Sequence, residues 1–461
     1  MKATDRVVKF IHDTQLGDIP DEVKHLGKRA ILDTLGVSLA GSTDKSIQIL
    51  LEAMEGRQGN SKASLIGIGK GTDSLSAALI NGTMAHALDY DDVNESCMGH
   101  PSAPVLPAVL ALGEELGSSG ANLLEAFLIG FEVECKLGSA IGTSHYGKGW
   151  HATSTLGTIG ATAATAKLME LDCKTTEIAL GIAASLASGI RSNFGTMTKP
   201  LHVGEASRNG VLASLLSSKG FTATANIFDH DVDFGLVFSE YRMDKDYLIE
   251  SMGSPWDILS PGITVKKYPC CNKAHRTIDA TLGLVVDHHP QPNDIAQVVI
   301  TIPPGEDLPL LYSKATTGLE GKFSMQFCVA SAIVDKKIVF ETFEINQVER
   351  DEVQRLSDKV IIKTDESQAP VVIDSGGYVD VSIIMQDGKT FDRRIEQATG
   401  TPTYPLSDSA LQDKFRDCVS TILDLTEIDK TISSIYSLET LPSVIELMRP
   451  FRTESKIHLG A

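Results

Sequence analysis

The run STLGTIGATAATAKLM, Ser154 to Met169, decides what kind of fold this chain adopts. Its small and apolar residues pass almost all the way round a helical wheel, so a helix made from it keeps no polar face for water. Such a helix has to be covered on every side, and its Ala and Gly side chains let neighbouring backbones come close. The same texture recurs over 74–88, 104–116, 123–141, 176–187 and 205–216, which predicts a helical bundle through the first ~230 residues. Pro20 opens an earlier helix at its first turn, with Val23, Leu26, Ala30 and Leu35 following at helical spacing.

Near Pro261 the texture changes to β-branched runs. A strand is predicted over 295–302, and 379–385, Asp387-Gly388 and 389–395 spell a hairpin with a two-residue turn. Helical spacing over 274–286 and 323–334 makes this section α+β. Helices are expected to return over 407–424 and 443–448. The expected fold is therefore mainly α: a discontinuous all-helical domain from 1–265 and 400–461, and a smaller α+β domain from 266–399. No internal repeat or low-complexity tract is visible.

Composition narrows the function. A chain of 461 residues exceeds what one core organises, and 42% hydrophobic with 22% charged residues suits a folded globular protein. A net charge of −19 argues against nucleic acid and anionic membrane surfaces as partners. The seven cysteines, Cys97, Cys135, Cys173, Cys270, Cys271, Cys328 and Cys418, form neither a disulfide framework nor a zinc spacing. Residues 1–18 lack a signal-peptide pattern and no window approaches ~20 consecutive apolar residues, so a cytoplasmic location is expected.

Four polar clusters interrupt the apolar background. In His86-Ala-Leu-Asp89-Tyr90-Asp91-Asp92, followed by His100-Pro101-Ser102, imidazoles and carboxylates are ordinary metal ligands, but their spacing matches no known cage and no metal is expected. For Asp91 and Asp92 the ordinary structural role, capping a helix or tying a loop through backbone amides, is the expectation. The second cluster, Ser144 to His151 (SHYGKGWH), is a glycine-bearing loop of the kind that carries function. His151 falls at the start of the next helix, where an imidazole with lowered pKa fits and a carboxylate would meet free amides; a plain helix-capping histidine is the structural alternative. In the third, Thr196 to Gly204 (TMTKPLHVG), Pro200 sets the first helical turn and leaves Lys199 just outside the helix N-terminus, able to reach an anion, with Arg191 nearby in sequence. Leu201 and Val203 argue that this segment is buried, and a buried lysine needs partners. The fourth is Lys266-Lys267-Tyr268-Pro269-Cys270-Cys271 with His275 soon after; adjacent cysteines are poorly placed for an ordinary disulfide, and a role as small buried residues is expected rather than that of a nucleophile.

Lys, His, Arg and Tyr gathered in so acidic a chain suggest a local positive cleft for a multiply charged carboxylate, where cations stabilise a developing enolate. Gly67 to Thr72 only superficially resembles a phosphate loop, since Ser64 stands where that motif needs glycine, and no dinucleotide fingerprint opens a helix. No cofactor is expected.

The ordered set His86–Asp92, His100-Pro101-Ser102, Gly149-Trp150-His151, Thr198-Lys199-Pro200-Leu201-His202 and Tyr268-Pro269-Cys270-Cys271 resembles the MmgE/PrpD family over nearly the whole chain. The resemblance implies a helical domain with an inserted α+β lid, a homodimer, and carbanion-type chemistry on a polycarboxylate, as in 2-methylcitrate dehydratase, cis-aconitate decarboxylase and iminodisuccinate epimerase. Carried over by motif, Asp89, His100, His151, Lys199 and Lys266 match active-site positions of the decarboxylase, and Tyr146 a base of the epimerase. Cys271 stands where the decarboxylase has a histidine, and Phe327 where it has a lid tyrosine. The expectation is a cofactor-independent lyase of dehydratase or decarboxylase type. Lys199, His202, Lys267, His275 and Arg191 would bind carboxylates, His100, His151, Tyr146 or Lys266 would move the proton, and Asp89 would orient an imidazole. Two-base epimerisation by Tyr146 and Lys266 and a non-catalytic carboxylate-binding protein are the alternatives.

Overall fold

The computed structural model describes residues 1–55, 62–371, 376–420 and 422–452. The chain divides into two compact units: Met1–Ser192, Met197–Ile263 and Ser407–Ala461 form the first, Asn193–Thr196 and Thr264–Leu406 the second. The short piece Asn193–Thr196 belongs with the second unit, a join the sequence reading does not contain.

The first unit is helical, built on Asp21–Gly41, Ser74–Ala87, Ser102–Leu116, Gly120–Ile141, Ala152–Leu168, Cys173–Leu186 and Thr198–Ser218, and completed by Asp408–Val419 and Leu425–Tyr436. In Ala152–Leu168 every residue except Lys167 is buried, as an all-round apolar helix requires. Its threonines satisfy their hydroxyls inside the helix: Thr158 donates to the Ser154 carbonyl at 2.8 Å, Thr162 to Thr158 at 2.7 Å and Thr165 to Ala161 at 2.8 Å. Starts are set by capping carboxylates and hydroxyls, among them Asp73 accepting from Ser76 and Asp172 from Thr175. Asp73 thus fills the helix mouth behind the Gly67–Thr72 segment.

The contact between Ser74–Ala87 and Thr198–Ser218 positions the site. A Cβ added to Gly204 would lie 2.2 Å from the Leu79 carbonyl oxygen, and one added to Gly82 would lie 2.9 Å from Gly204 Cα. The two backbones therefore touch, and His86, one turn past Gly82, meets Lys199, just over a turn before Gly204. Two details of the sequence reading change. The helix begins at Thr198, two residues before the Pro200 expected to open it, because the amide that Pro200 lacks belongs to the first turn, whose amides have no intrahelical partner anyway. Lys199 lies inside that turn, not outside it. Ser144–Gly147, expected as loop, forms one helical turn.

In the second unit a four-stranded sheet runs in the order Val360–Thr364, Ile295–Ile302, Val379–Met385, Thr390–Ile395, with only the first pair parallel. Ile295, Val298, Ile300 and Ile302 are buried; the break in alternation after Ile295 coincides with a bulge against Met385 and Ile384. With Val379, Val381 and Ile383 they form one apolar face, covered by Ile278, Leu284 and Val285 of His275–His288 and Val329 and Ile333 of Met325–Asp335. The hairpin was legible; the parallel strand Val360–Thr364 was not. The helix expected over 407–424 spans Asp408–Val419, and residue 421 lies outside the described residues. Among the described residues no helix is long and apolar enough to cross a membrane.

Candidate active site

The end of the 74–87 helix, the loop behind it and the starts of three further helices bring one group of titratable side chains together within the first unit. Lys199 Nζ donates to His86 Nε2 at 2.7 Å and to Asp89 Oδ1 at 2.9 Å. Asp89 reaches it because the chain reverses there: its φ is +52°, a left-handed conformation that aspartate tolerates better than most residues. On the far side of His86, Nδ1 stands 3.0 and 2.8 Å from the two oxygens of Asp91. Asp91 Oδ2 also lies 3.2 Å from His100 Nδ1, a donor distance, though the ring is not turned to form an aligned hydrogen bond. His100 Nε2 is 3.9 Å from Asp89 Oδ1, which closes the circuit. His151 and His202 add a second imidazole pair, Nδ1 to Nδ1 at 3.1 Å, so one of the two must donate and the other accept. The His86 and His151 rings are 5.9 Å apart.

Burial sets the protonation of this group. It lowers His86 to about 3, with Lys199 acting in the same direction and Asp91 opposing, and His202 to about 4, again with Lys199 adding to burial. His151 is held well below the usual imidazole range by burial and by Lys199. Burial alone would raise Asp91, but the imidazoles of His100 and His86 outweigh it and keep the carboxyl well below its ordinary value. Asp92 has no such company: burial pushes it up to about 8, and it holds Ser102 through backbone amide and hydroxyl at the start of Ser102–Leu116. The loop-tying role read from sequence describes Asp92 but not Asp91.

His86, Asp89, Asp91 and His100 each offer a donor atom within 4.8 Å of the others, a grouping with the chemistry to hold a cation. Lys199's ammonium stands within hydrogen-bond distance of two of them, so a positive charge already occupies that side of the group. The same pairing corrects the expected positive cleft. Within this cluster one ammonium faces two carboxylates, Asp89 directly and Asp91 across the His86 ring.

The remaining candidates are placed as follows. Tyr146 is half-buried with the Arg191 guanidinium 4.0 Å above its ring. Among the described residues no carboxylate forms an ion pair with Arg191. His151 is the N-cap residue of Ala152–Leu168, but its side chain makes no capping bond. The neighbouring His145 is structural, spending Nδ1 on the Phe238 carbonyl and Nε2 on Thr155. In the second unit Lys266 is buried, Lys267 pairs with Asp279 at 3.3 Å, and His275 is buried with Nε2 3.3 Å from the Cys270 carbonyl. Cys271 packs with Phe194 and Phe323, and Phe327 lies in the core against Phe343. Sequence reasoning missed His86 and Asp91 as partners. Their five-residue separation is visible in the sequence; the chain reversal at Asp89 that makes them face each other is not.

Comparison with known proteins gives the family. The MmgE/PrpD N-terminal domain matches residues 5–245 and the MmgE/PrpD C-terminal domain residues 268–438. The chain is 29% identical to cis-aconitate decarboxylase of Homo sapiens, over 95% of this chain and 92% of that protein. It is 28% identical to the Mus musculus decarboxylase, over 97% and 92%, and 25% identical to that of Aspergillus terreus, over 96% and 95%. With both domains matched in order and full-length relatives of one activity, the chain belongs to the MmgE/PrpD family and is a lyase of that type.

Proposed function

We propose that this lyase decarboxylates a cis-aconitate-like tricarboxylate without a cofactor, working as a homodimer. The observation that carries the reading is the buried ammonium of Lys199, paired with Asp89 and bonded to His86, whose ring, like those of His151 and His202, burial keeps neutral. The breaking C–C bond leaves its electron pair on carbon, delocalised toward a neighbouring carboxylate, and cations beside that carboxylate stabilise the charge. One proton then has to reach the carbon. His100 or His151 takes it from water and delivers it, with Tyr146 as the further candidate. Lys199, His202 and Arg191 hold substrate carboxylates; Arg191 is the most available, since among the described residues its charge meets only the Tyr146 ring.

The test is a panel of di- and tricarboxylates, beginning with cis-aconitate, followed by mass spectrometry in heavy water. Product lighter by carbon dioxide supports the reading. Loss of water points to a dehydratase, and deuterium wash-in at unchanged substrate composition points to an epimerase. His151→Ala separates enzyme from binder: turnover should fall by about two to four orders of magnitude, whereas a binding protein would keep its affinity and show no turnover before or after.

A further inference from the structure

We propose that Asp91 is a positioning residue that fixes which nitrogen of His100 carries its proton, and so which nitrogen faces the chemistry. The inference rests on the reading above only in taking His100 as a proton carrier.

The argument starts at Lys199. An ammonium can only donate, so His86 Nε2, 2.7 Å away, accepts, and the neutral ring must carry its hydrogen on Nδ1. That hydrogen points at Asp91, 2.8 Å away, which accepts it as a carboxylate. Asp91 Oδ2 has a second neighbour, His100 Nδ1 at 3.2 Å, with the His86 and His100 rings edge to face and 4.5 Å between centroids. The contact is at donor distance without being aligned, and such bonds commonly tighten only when substrate arrives. The rival arrangement puts the proton on Nε2, toward Asp89. That oxygen is 3.9 Å away against 3.2 Å for Asp91 Oδ2, and since each oxygen already accepts one bond, from Lys199 and from His86, the nearer carboxylate prevails. The other acids around Asp91 do not compete for His100: Asp33 pairs with Lys414 at 2.7 Å, and Asp92 is bound to Ser102. His100 therefore carries Nδ1–H and turns the lone pair of Nε2 outward, the nitrogen that can take up and pass on a proton, while Asp91 stabilises the imidazolium formed in between.

Asp91→Leu makes the consequence sharp, whereas asparagine would not, since His86 Nδ1 and His100 Nδ1 face the same Asp91 oxygen and one amide oxygen there serves both. Leucine leaves no acceptor in that place, so the His100 proton moves to Nε2, toward Asp89, and the lone pair is lost from the reacting side. The experiment is ring-nitrogen NMR on 15N-histidine-labelled full-length protein, with His100 assigned through His100→Gln. Wild type should show His100 as Nδ1–H, and Asp91→Leu should show Nε2–H, with kcat lowered by about 10²- to 10⁴-fold and KM changed by less than about threefold. Wild-type His100 in the Nε2–H form overturns the proposal even if Asp91→Leu does not fold, and so does a variant whose His100 tautomer is unchanged. If the tautomers are as expected but no polycarboxylate is turned over, the assignment stands and the functional reading falls.

Discussion

Asp92→Asn should stabilise the protein, and by more as the pH rises. Asp92 is completely buried, accepts from the Ser102 amide at 3.3 Å and shares a hydrogen with the Ser102 hydroxyl. Burial moves its pKa from the ordinary 3.8 to about 8. A folded-state pKa above the unfolded one means that the native protein keeps a proton the unfolded chain releases, so stability is fully present below 3.8 and is lost as pH rises toward 8. Each pH unit in that window costs about 1.4 kcal/mol, so between about pH 5 and about pH 7.5 this one group removes up to about 3 kcal/mol. Asparagine is neutral at every pH, has nearly the same shape, and its amide oxygen can accept from Ser102 as the carboxyl does. Urea unfolding of both proteins at the two pH values measures the difference directly. The advantage of the asparagine variant should be small at the lower pH and wide at the higher. An equal gap at both would mean that Asp92 is ionised in the native state, and the reasoning from burial would be wrong.

Two further outcomes follow from the helix contact and the buried cation. Gly204→Ala should lower the melting temperature and the activity together, because the added methyl lies 2.2 Å from both the Leu79 carbonyl and Thr83 Oγ1; helix propensity alone predicts a gain of about 1 kcal/mol, so the sign of the melting shift decides between them. Lys199→Met should abolish turnover and cost about 3 to 5 kcal/mol in urea unfolding, since it leaves the buried Asp89 carboxylate without its ammonium. A variant as stable and active as wild type would remove Lys199 from the proposed site.

Much of the fold can be read along the chain because its cause is local. An all-apolar periodic run such as 154–169 can only be a covered helix, and the alternation in 379–385 followed by Asp387-Gly388 can only turn back on itself as a hairpin. Val360–Thr364 escapes that logic: only Val360 is buried and its partner in the parallel pair lies some sixty residues earlier. The site shows the same division. Histidines 100, 151 and 202 and Lys199 stand out by type and by their place at helix starts, whereas Asp91 looks like any loop carboxylate.

Sequence alone determined which residues could do acid–base and anion chemistry, and that they ride on a bundle of closely packed helices. Tertiary structure decided who faces whom. Lys199 and His86 are 113 positions apart and meet only because Gly82 and Gly204 let two backbones touch. Asp89 and Asp91 turn to opposite sides of His86 because the chain reverses at a single left-handed residue. Close approach and reversal depend on atoms from both sides of a contact, and no one stretch of sequence contains both.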